Sequence, residues 1–104
     1  MEFKKYLDEK VSSLKGKNIL ITGANSGLGF SLSLQTAYKG ANVFMACRNE
    51  QRAKVAIDNI KKEIPEANLK FLEYDQASFE SIRKFVSVLF SLDITVDFLV
   101  LNYW

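Results

Sequence analysis

Thr22-Gly23-Ala24-Asn25-Ser26-Gly27-Leu28-Gly29 has the makings of a phosphate cradle. In such a turn the first glycine permits a tight bend and the second lets a phosphate come close to the backbone. The third lets a helix pack on a strand with no Cβ between them. Unpaired N–H groups and the positive end of the following helix then favour a pyrophosphate. A plainer reading is that the glycines only end a strand. It explains less, because an apolar run precedes the turn and a helix-like segment follows it. A P-loop is excluded, since no Gly-Lys-Ser/Thr follows the glycines.

The turn needs a strand before it and a helix after it. Asn18-Ile19-Leu20-Ile21-Thr22 is a short apolar run with no polar face, as expected of a strand buried on both sides. The helical segment after the glycines runs to Lys39 and stops at Gly40. Ala41 to Cys47 reads as a second buried strand. Asn49 is placed to cap a helix with apolar positions Ala53, Ala56, Ile57, Ile60 and Ile64, which Pro65 ends. Leu69 to Tyr74 reads as a third strand. Ser78 then caps a helix carrying Phe79, Ile82, Phe85, Val86, Leu89 and Phe90, and Val96 to Leu101 reads as a fourth strand. Ahead of all this, Phe3, Tyr6, Leu7, Val11 and Leu14 lie at helical spacing among Lys and Glu. Mixed charge favours a lid packed on the domain over a helix lying on a membrane surface. The expected organisation is an amphipathic helix over residues 1–15 and a nucleotide-binding domain over 16–104. Alternating strands and helices give an α/β class with a parallel sheet and right-handed crossovers.

The glycine turn resembles the Thr-Gly-x-x-x-Gly-x-Gly turn of short-chain dehydrogenases/reductases, in wording nearest the retinol-dehydrogenase-like and WW-domain-oxidoreductase-like branches. The resemblance runs in register from about Lys17 to Asn102. It takes in Lys39-Gly40-Ala41, Ala46-Cys47-Arg48-Asn49, Asp75-Gln76-Ala77-Ser78 and Asp97-Phe98-Leu99-Val100-Leu101-Asn102. The last looks like the start of the family's Asn-Asn-Ala-Gly strand. The resemblance implies a partial Rossmann fold of about four parallel strands in the order 3-2-1-4. It also implies an oxidoreductase that binds a nicotinamide dinucleotide through Gly23, Asn25, Ser26, Gly27, Leu28 and Gly29, with Asn102 a further cofactor contact.

An NAD site needs a carboxylate about 20 residues past the glycines, to hold the ribose hydroxyls. Cys47 stands there, and Arg48 follows it. By resemblance Arg48 is the discriminator, with Asn49 or Ser26 assisting, and NADP(H) is preferred over NAD(H). A guanidinium suits the extra negative charge of a 2′-phosphate. The alternative is a solvated arginine near a helix start. Cys47 is expected to be a small buried residue rather than a reactive thiol. The resemblance gives Asp75 a hydrogen bond to the adenine amino group and the backbone of Gln76 a contact with the ring. Gln76 departs from the usual leucine or valine, which alters the pocket wall. The lesser alternative is that Asp75 only flanks the following helix.

The family's reaction uses a tyrosine whose pKa is lowered by a lysine three or four residues on, usually with an upstream serine. None of Tyr6, Tyr38, Tyr74 and Tyr103 is assigned that role, and no catalytic residue is carried over. Tyr103-Trp104 stands where the family has Ala-Gly after Asn102. The expectation is a truncated, non-catalytic half, inactive alone. The alternative is an interaction product that associates through an apolar edge made by Phe98, Leu99, Val100 and Leu101.

Composition limits the other classes. The chain has 104 residues, a net charge of +2, one cysteine and no histidine. Balanced charge argues against nucleic-acid binding. No internal disulfide and no Cys/His zinc site can form. No apolar run reaches the roughly 18–20 residues of a membrane helix, and the N-terminus lacks a secretory core. A reducing, cytoplasmic setting is expected, with peripheral membrane association left open.

Overall fold

The structure, a computed structural model, describes residues 2–25 and 27–102. In chain order its elements are α1 (Glu2–Lys10), β1 (Asn18–Thr22), α2 (Gly27–Tyr38), β2 (Asn42–Cys47), α3 (Glu50–Glu63), β3 (Asn68–Glu73), α4 (Phe79–Ser91) and β4 (Phe98–Val100). The strands form one sheet, parallel as the alternation of strands and helices requires, in the order β3-β2-β1-β4 that the family resemblance implies. Both expected caps are made. The Asn49 side chain accepts from the Arg52 N–H at 3.0 Å, and Ser78 accepts from Ser81 at 3.2 Å.

Period-two alternation divides the sheet between two helix layers. Ile19, Ile21, Val43, Met45 and Cys47 point to one face, where Ala37 of α2 and Ala53, Ala56 and Ile60 of α3 cover them. Leu20, Ala46 and Leu72 point to the other, against Phe85 of α4. The fully buried Ile21, Met45 and Ile60 each contribute roughly 1.5–3 kcal/mol through lost apolar exposure. Cover is less complete toward the sheet edges. β4 leaves Phe98 at 50%, Leu99 at 56% and the following Leu101 at 56% exposure.

Several boundaries differ from the sequence expectation, among them α2, which ends at Tyr38 rather than Lys39, and β2, which starts at Asn42 rather than Ala41. α1 stops at Lys10 rather than running to residue 14. Beyond it, the Leu14 N–H donates to the Lys39 carbonyl at 2.9 Å, so this segment is tied to the end of α2 and presses Leu14 onto the core as a loop. β3 starts and ends one residue earlier than expected, although the Tyr74 N–H still donates to the Cys47 carbonyl at 2.9 Å. β4 is only three residues long. Val96 instead packs in the α4 cluster, and Asp97 is bound twice to Asn18, once through its N–H and once through its carboxylate, both at 2.8 Å.

At the opposite end of the sheet from the glycine turn, an asparagine opens each of β1, β2 and β3. Asn18, Asn42 and Asn68 are in register. The Asn68 amide donates to Asn42, Asn42 donates to Asn18 at 3.0 Å, and Asn18 donates to the Thr95 carbonyl at 2.8 Å. α1 lies at this same end as a packed lid. Leu7 is buried, the Lys39 ammonium donates to the Leu7 carbonyl at 3.2 Å, and the Tyr38 hydroxyl donates to the Asp8 carboxylate at 2.8 Å.

Candidate functional site

The C-terminal ends of β1, β2 and β3 converge on the glycine turn, where an open parallel sheet leaves a crevice. The turn is built by close approach. Gly23 and Gly27 have φ of 60° and 57°, a region that costs a side-chain-bearing residue energy. Gly29, inside α2, lies against β1's exit. A Cβ there would run into the Gly23 carbonyl oxygen, with the carbonyl carbon at 2.8 Å and the Asn102 side-chain nitrogen at 2.9 Å. The third glycine therefore does what the sequence assigns it. A Cβ at Gly27 would meet open space, so the backbone there is accessible from outside.

Hydrogen bonds hold the turn from three sides. The Gly23 N–H donates to the Ala46 carbonyl at 2.9 Å, which ties it to β2. Asn102 donates its N–H to the Thr22 hydroxyl at 2.9 Å and its side-chain amide to the Gly23 carbonyl at 3.2 Å, which ties it to the end of β4. Cys47 closes the third side. Burial pushes its thiol up to about 11 from an ordinary 9.0, against a smaller opposing effect of the Ala24 and Asn25 N–H groups bonded to its sulfur. The thiol is a packed acceptor under the turn, as expected of a small buried residue.

Two cavities open here. The first, of about 150 Å³, is walled by Gly23, Cys47, Arg48, Tyr74, Asp75 and Asn102, with Gln76 and Ala77 at its rim. The second, of about 110 Å³, is lined by Asn25, Arg48, Asn49 and Arg52. Among the described residues Arg48 alone belongs to both, and its side chain is exposed. The structure thus brings together Gly23, Arg48, Asp75, Gln76 and Asn102 in one cavity, and Asn25 and Asn49 with Arg48 in the other. Gly27 borders a groove between α2 and α3, and Leu28 is exposed and lines neither cavity. Ser26 lies outside the described residues. Asp75 has a helix-flanking role in the structure: its carboxylate accepts from the Ala77 N–H at 3.0 Å and its own N–H donates to Ser81 at 2.8 Å. One carboxylate oxygen is used in that turn, and the residue still faces the first cavity.

Sequence reasoning missed Arg52 and Tyr74 as wall residues. The signal for Arg52 lay in the Asn49 cap, which fixes the first turn of α3 and so the position of the residue three along. It also passed over one tyrosine–lysine pair at catalytic spacing, Tyr6 and Lys10. The fold disposes of that pair. Both residues are exposed on α1, at the far end of the sheet from both cavities. Tyr38 is equally unsuited, because its hydrogen bond to Asp8 raises the phenol's pKa, with smaller contributions from burial and from the Asp8 charge. Among the described residues no group of His, Cys, Asp and Glu could hold a metal ion, and no helix is long and apolar enough to cross a membrane.

Comparison with known proteins agrees with this geometry. The family model for short chain dehydrogenases matches residues 17–103. Dehydrogenase/reductase SDR family member 13 of Bos taurus is 35% identical over 92 residues, covering 88% of this chain and 24% of that protein. The WW domain-containing oxidoreductase of Danio rerio is 39% identical over 89 residues, covering 86% of this chain and 22% of its own length. Menthone neomenthol reductase from Mentha piperita superposes with a TM-score of 0.76 at 31% identity, over 84% of this chain and 31% of that one. The RhlG/NADP active-site complex of Pseudomonas aeruginosa superposes with a TM-score of 0.75 at 24% identity, over 86% of this chain and 35% of that one, which shows the shared fold. The chain spans about a quarter of the length of the curated relatives it matches. Strand order, glycine turn and family match all agree, and the chain belongs to the short-chain dehydrogenases.

Proposed function

We propose that this chain is the NADP(H)-binding part of a short-chain dehydrogenase/reductase oxidoreductase and that it does not turn over substrate by itself. One observation carries the cofactor choice. The position that would present a carboxylate to the ribose of NAD holds the buried thiol of Cys47, and the exposed Arg48 beside it reaches both cavities. A carboxylate would repel a 2′-phosphate, whereas a guanidinium attracts it. In this reading the turn from Gly23 to Gly29 takes the pyrophosphate, and Asp75 and Gln76 take the adenine. Asn102, which donates one amide hydrogen to the Gly23 carbonyl and lines the first cavity, is a further contact for the cofactor. The nicotinamide, when bound, supplies the hydride chemistry. No residue described at either cavity is a tyrosine with a partner lysine, which is the basis for expecting no turnover. RhlG, which shares the fold, is an NADP complex. A lone buried thiol suits a reducing, cytoplasmic setting.

The test is titration with NADPH and NADH. NADPH should bind more tightly, and Arg48→Asp should reverse the order, since a charge-assisted phosphate contact is worth on the order of 1–3 kcal/mol, or roughly 10- to 100-fold. An unchanged order in that variant would remove Arg48 from the site. Sustained NADPH oxidation on a carbonyl panel would refute inactivity. A second reading, self-association, is favoured by the exposed Phe98, Leu99 and Leu101 on the β4 edge, a surface that invites strand pairing.

A further inference from the structure

We propose that Cys47 is a positioning residue for the pyrophosphate: its buried sulfur fastens the glycine turn to the end of β2 and so sets where the first N–H groups of α2 stand. This rests on the nucleotide-binding reading above. The side chain is 1% exposed, closes β2 and lines the larger cavity.

Three consecutive N–H groups of the turn are taken up by two consecutive residues of β2. Gly23 donates to the Ala46 carbonyl at 2.9 Å, and Ala24 and Asn25 donate to the Cys47 sulfur. Those donors are thereby withdrawn from an anion. The donors left to it lie further on, at Gly27 and Leu28, which open α2 and have no acceptor within the helix. A Cβ at Gly27 would meet open space, so a ligand can reach the backbone there. The β2 side of the turn is therefore its fastening, and the α2 side is its binding surface. One backbone carbonyl and one side-chain atom make the fastening, and only the side-chain atom depends on residue type.

Burial makes the sulfur hard to replace. Ala24 is fully buried, and a buried N–H without an acceptor is destabilising. With no acceptor at the sulfur's position, the turn would have to move toward water to satisfy Ala24 and Asn25. Gly27 and Leu28 would move with it. A buried sulfur also fills space, since Cys47 belongs to the core cluster beneath α2 and α3. Substitution separates the two effects. Alanine is smaller than cysteine and valine is larger, and neither side chain accepts a hydrogen bond. Serine is smaller too, yet its oxygen is a better acceptor than sulfur.

The experiment uses the full chain as wild type, Cys47→Ala, Cys47→Val and Cys47→Ser. Each is titrated by calorimetry with ADP, which carries the pyrophosphate, and with NADPH and NADH. Urea unfolding gives stability, and amide hydrogen exchange by NMR reads the turn directly. In both Cys47→Ala and Cys47→Val, exchange at Ala24 and Asn25 should quicken while Gly23, bonded to Ala46, stays protected. Affinity for all three nucleotides should fall about five- to tenfold, the worth of one or two weak hydrogen bonds, with the NADPH-to-NADH ratio unchanged. Cys47→Ser should slow the exchange again and recover part of the affinity, even where its urea midpoint is no higher than that of Cys47→Ala. If folded Cys47→Ala and Cys47→Val keep wild-type affinity and wild-type exchange at Ala24 and Asn25, the sulfur only fills space and the proposal is overturned. The same holds if affinity follows the urea midpoint across the series, with no recovery in Cys47→Ser. If these variants behave as expected but NADPH is not preferred to NADH, the NADP reading falls and the role of Cys47 stands. A wild type that binds none of the three nucleotides overturns both.

Discussion

Replacing Gly29 with alanine sets two opposing effects against each other, and the structure indicates which wins. Gly29 is inside α2, and alanine is the better helix former by about 1 kcal/mol. On propensity alone the variant would be more stable. The added Cβ, however, would sit 2.8 Å from the Gly23 carbonyl carbon, where unstrained carbons stay roughly 3.5–4.0 Å apart. α2 would have to retreat from β1 by at least about 0.7 Å. The obstacle is backbone, so no rotamer change relieves it, and overpacking of this kind costs about 3 kcal/mol. The Cβ would also crowd the Asn102 amide and strain its 3.2 Å bond to Gly23, a further loss of about 1 kcal/mol. The net expectation is a destabilisation of about 3 kcal/mol. With a urea dependence of about 1–1.5 kcal/mol per molar, the unfolding midpoint followed by far-UV circular dichroism should drop by about 2–3 M. Gly27→Ala is the control. It meets open space but has φ 57°, so only the backbone penalty of about 1–2 kcal/mol applies. A Gly29→Ala chain as stable as the wild type, or less perturbed than Gly27→Ala, would refute the close-approach argument.

Two further expectations follow from the packing. The Cys47 thiol titrates near 11 when folded and near 9.0 when unfolded, so the unfolded chain loses its proton first. The associated stability is complete below pH 9 and is lost as the pH rises through 11, by about 3 kcal/mol. Urea midpoints between pH 8 and 11 should fall in the wild type and stay flatter in Cys47→Ala, and rapid alkylation of the folded chain at pH 8 would contradict a buried thiol. Leu99 is half exposed on the β4 edge, so Leu99→Lys should keep the fold and weaken any concentration-dependent association in the ultracentrifuge. Identical sedimentation of an associating wild type and of the variant would move the contact elsewhere.

The strands β1 and β2 were legible because both of their faces are buried, which leaves an apolar run without alternation. The helix caps were legible because Asn49 and Ser78 are followed at once by helical periodicity. Boundaries failed where a tertiary bond overrides local pattern. Val11 and Leu14 continue the helical spacing of α1, yet the Lys39 carbonyl captures the Leu14 N–H and ends the helix's claim on it. Val96 and Leu101 look like strand residues, but one serves the α4 cluster and the other faces outward. At the site, glycines announce themselves because few other residues tolerate that backbone. Arg52 did not, since a surface arginine on a helix has no sequence mark that separates it from a solubilising charge. Asn102 was expected as a ligand contact; in the structure it lines the first cavity and its hydrogen bonds go to Thr22 and Gly23.

The row of asparagines at the far end of the sheet also bears on how the chain finds its fold. Parallel strands are joined only through crossovers, and the amides that meet here are 24 and 26 residues apart in the chain. Such pairings form slowly, and a strand that docks one residue out of step turns its apolar set to the wrong face. Side-chain amides that all donate in one direction recognise that error at once. A slip of β2 would strand an acceptor on Asn18 and a donor on Asn68 together. The row therefore works as a frame check on assembly, read at the start of each strand. It reaches β4 as well, since Asn18 also holds Thr95 and Asp97. A three-residue edge strand is thereby strung between two anchors, Asp97 at one end and Asn102 at the other.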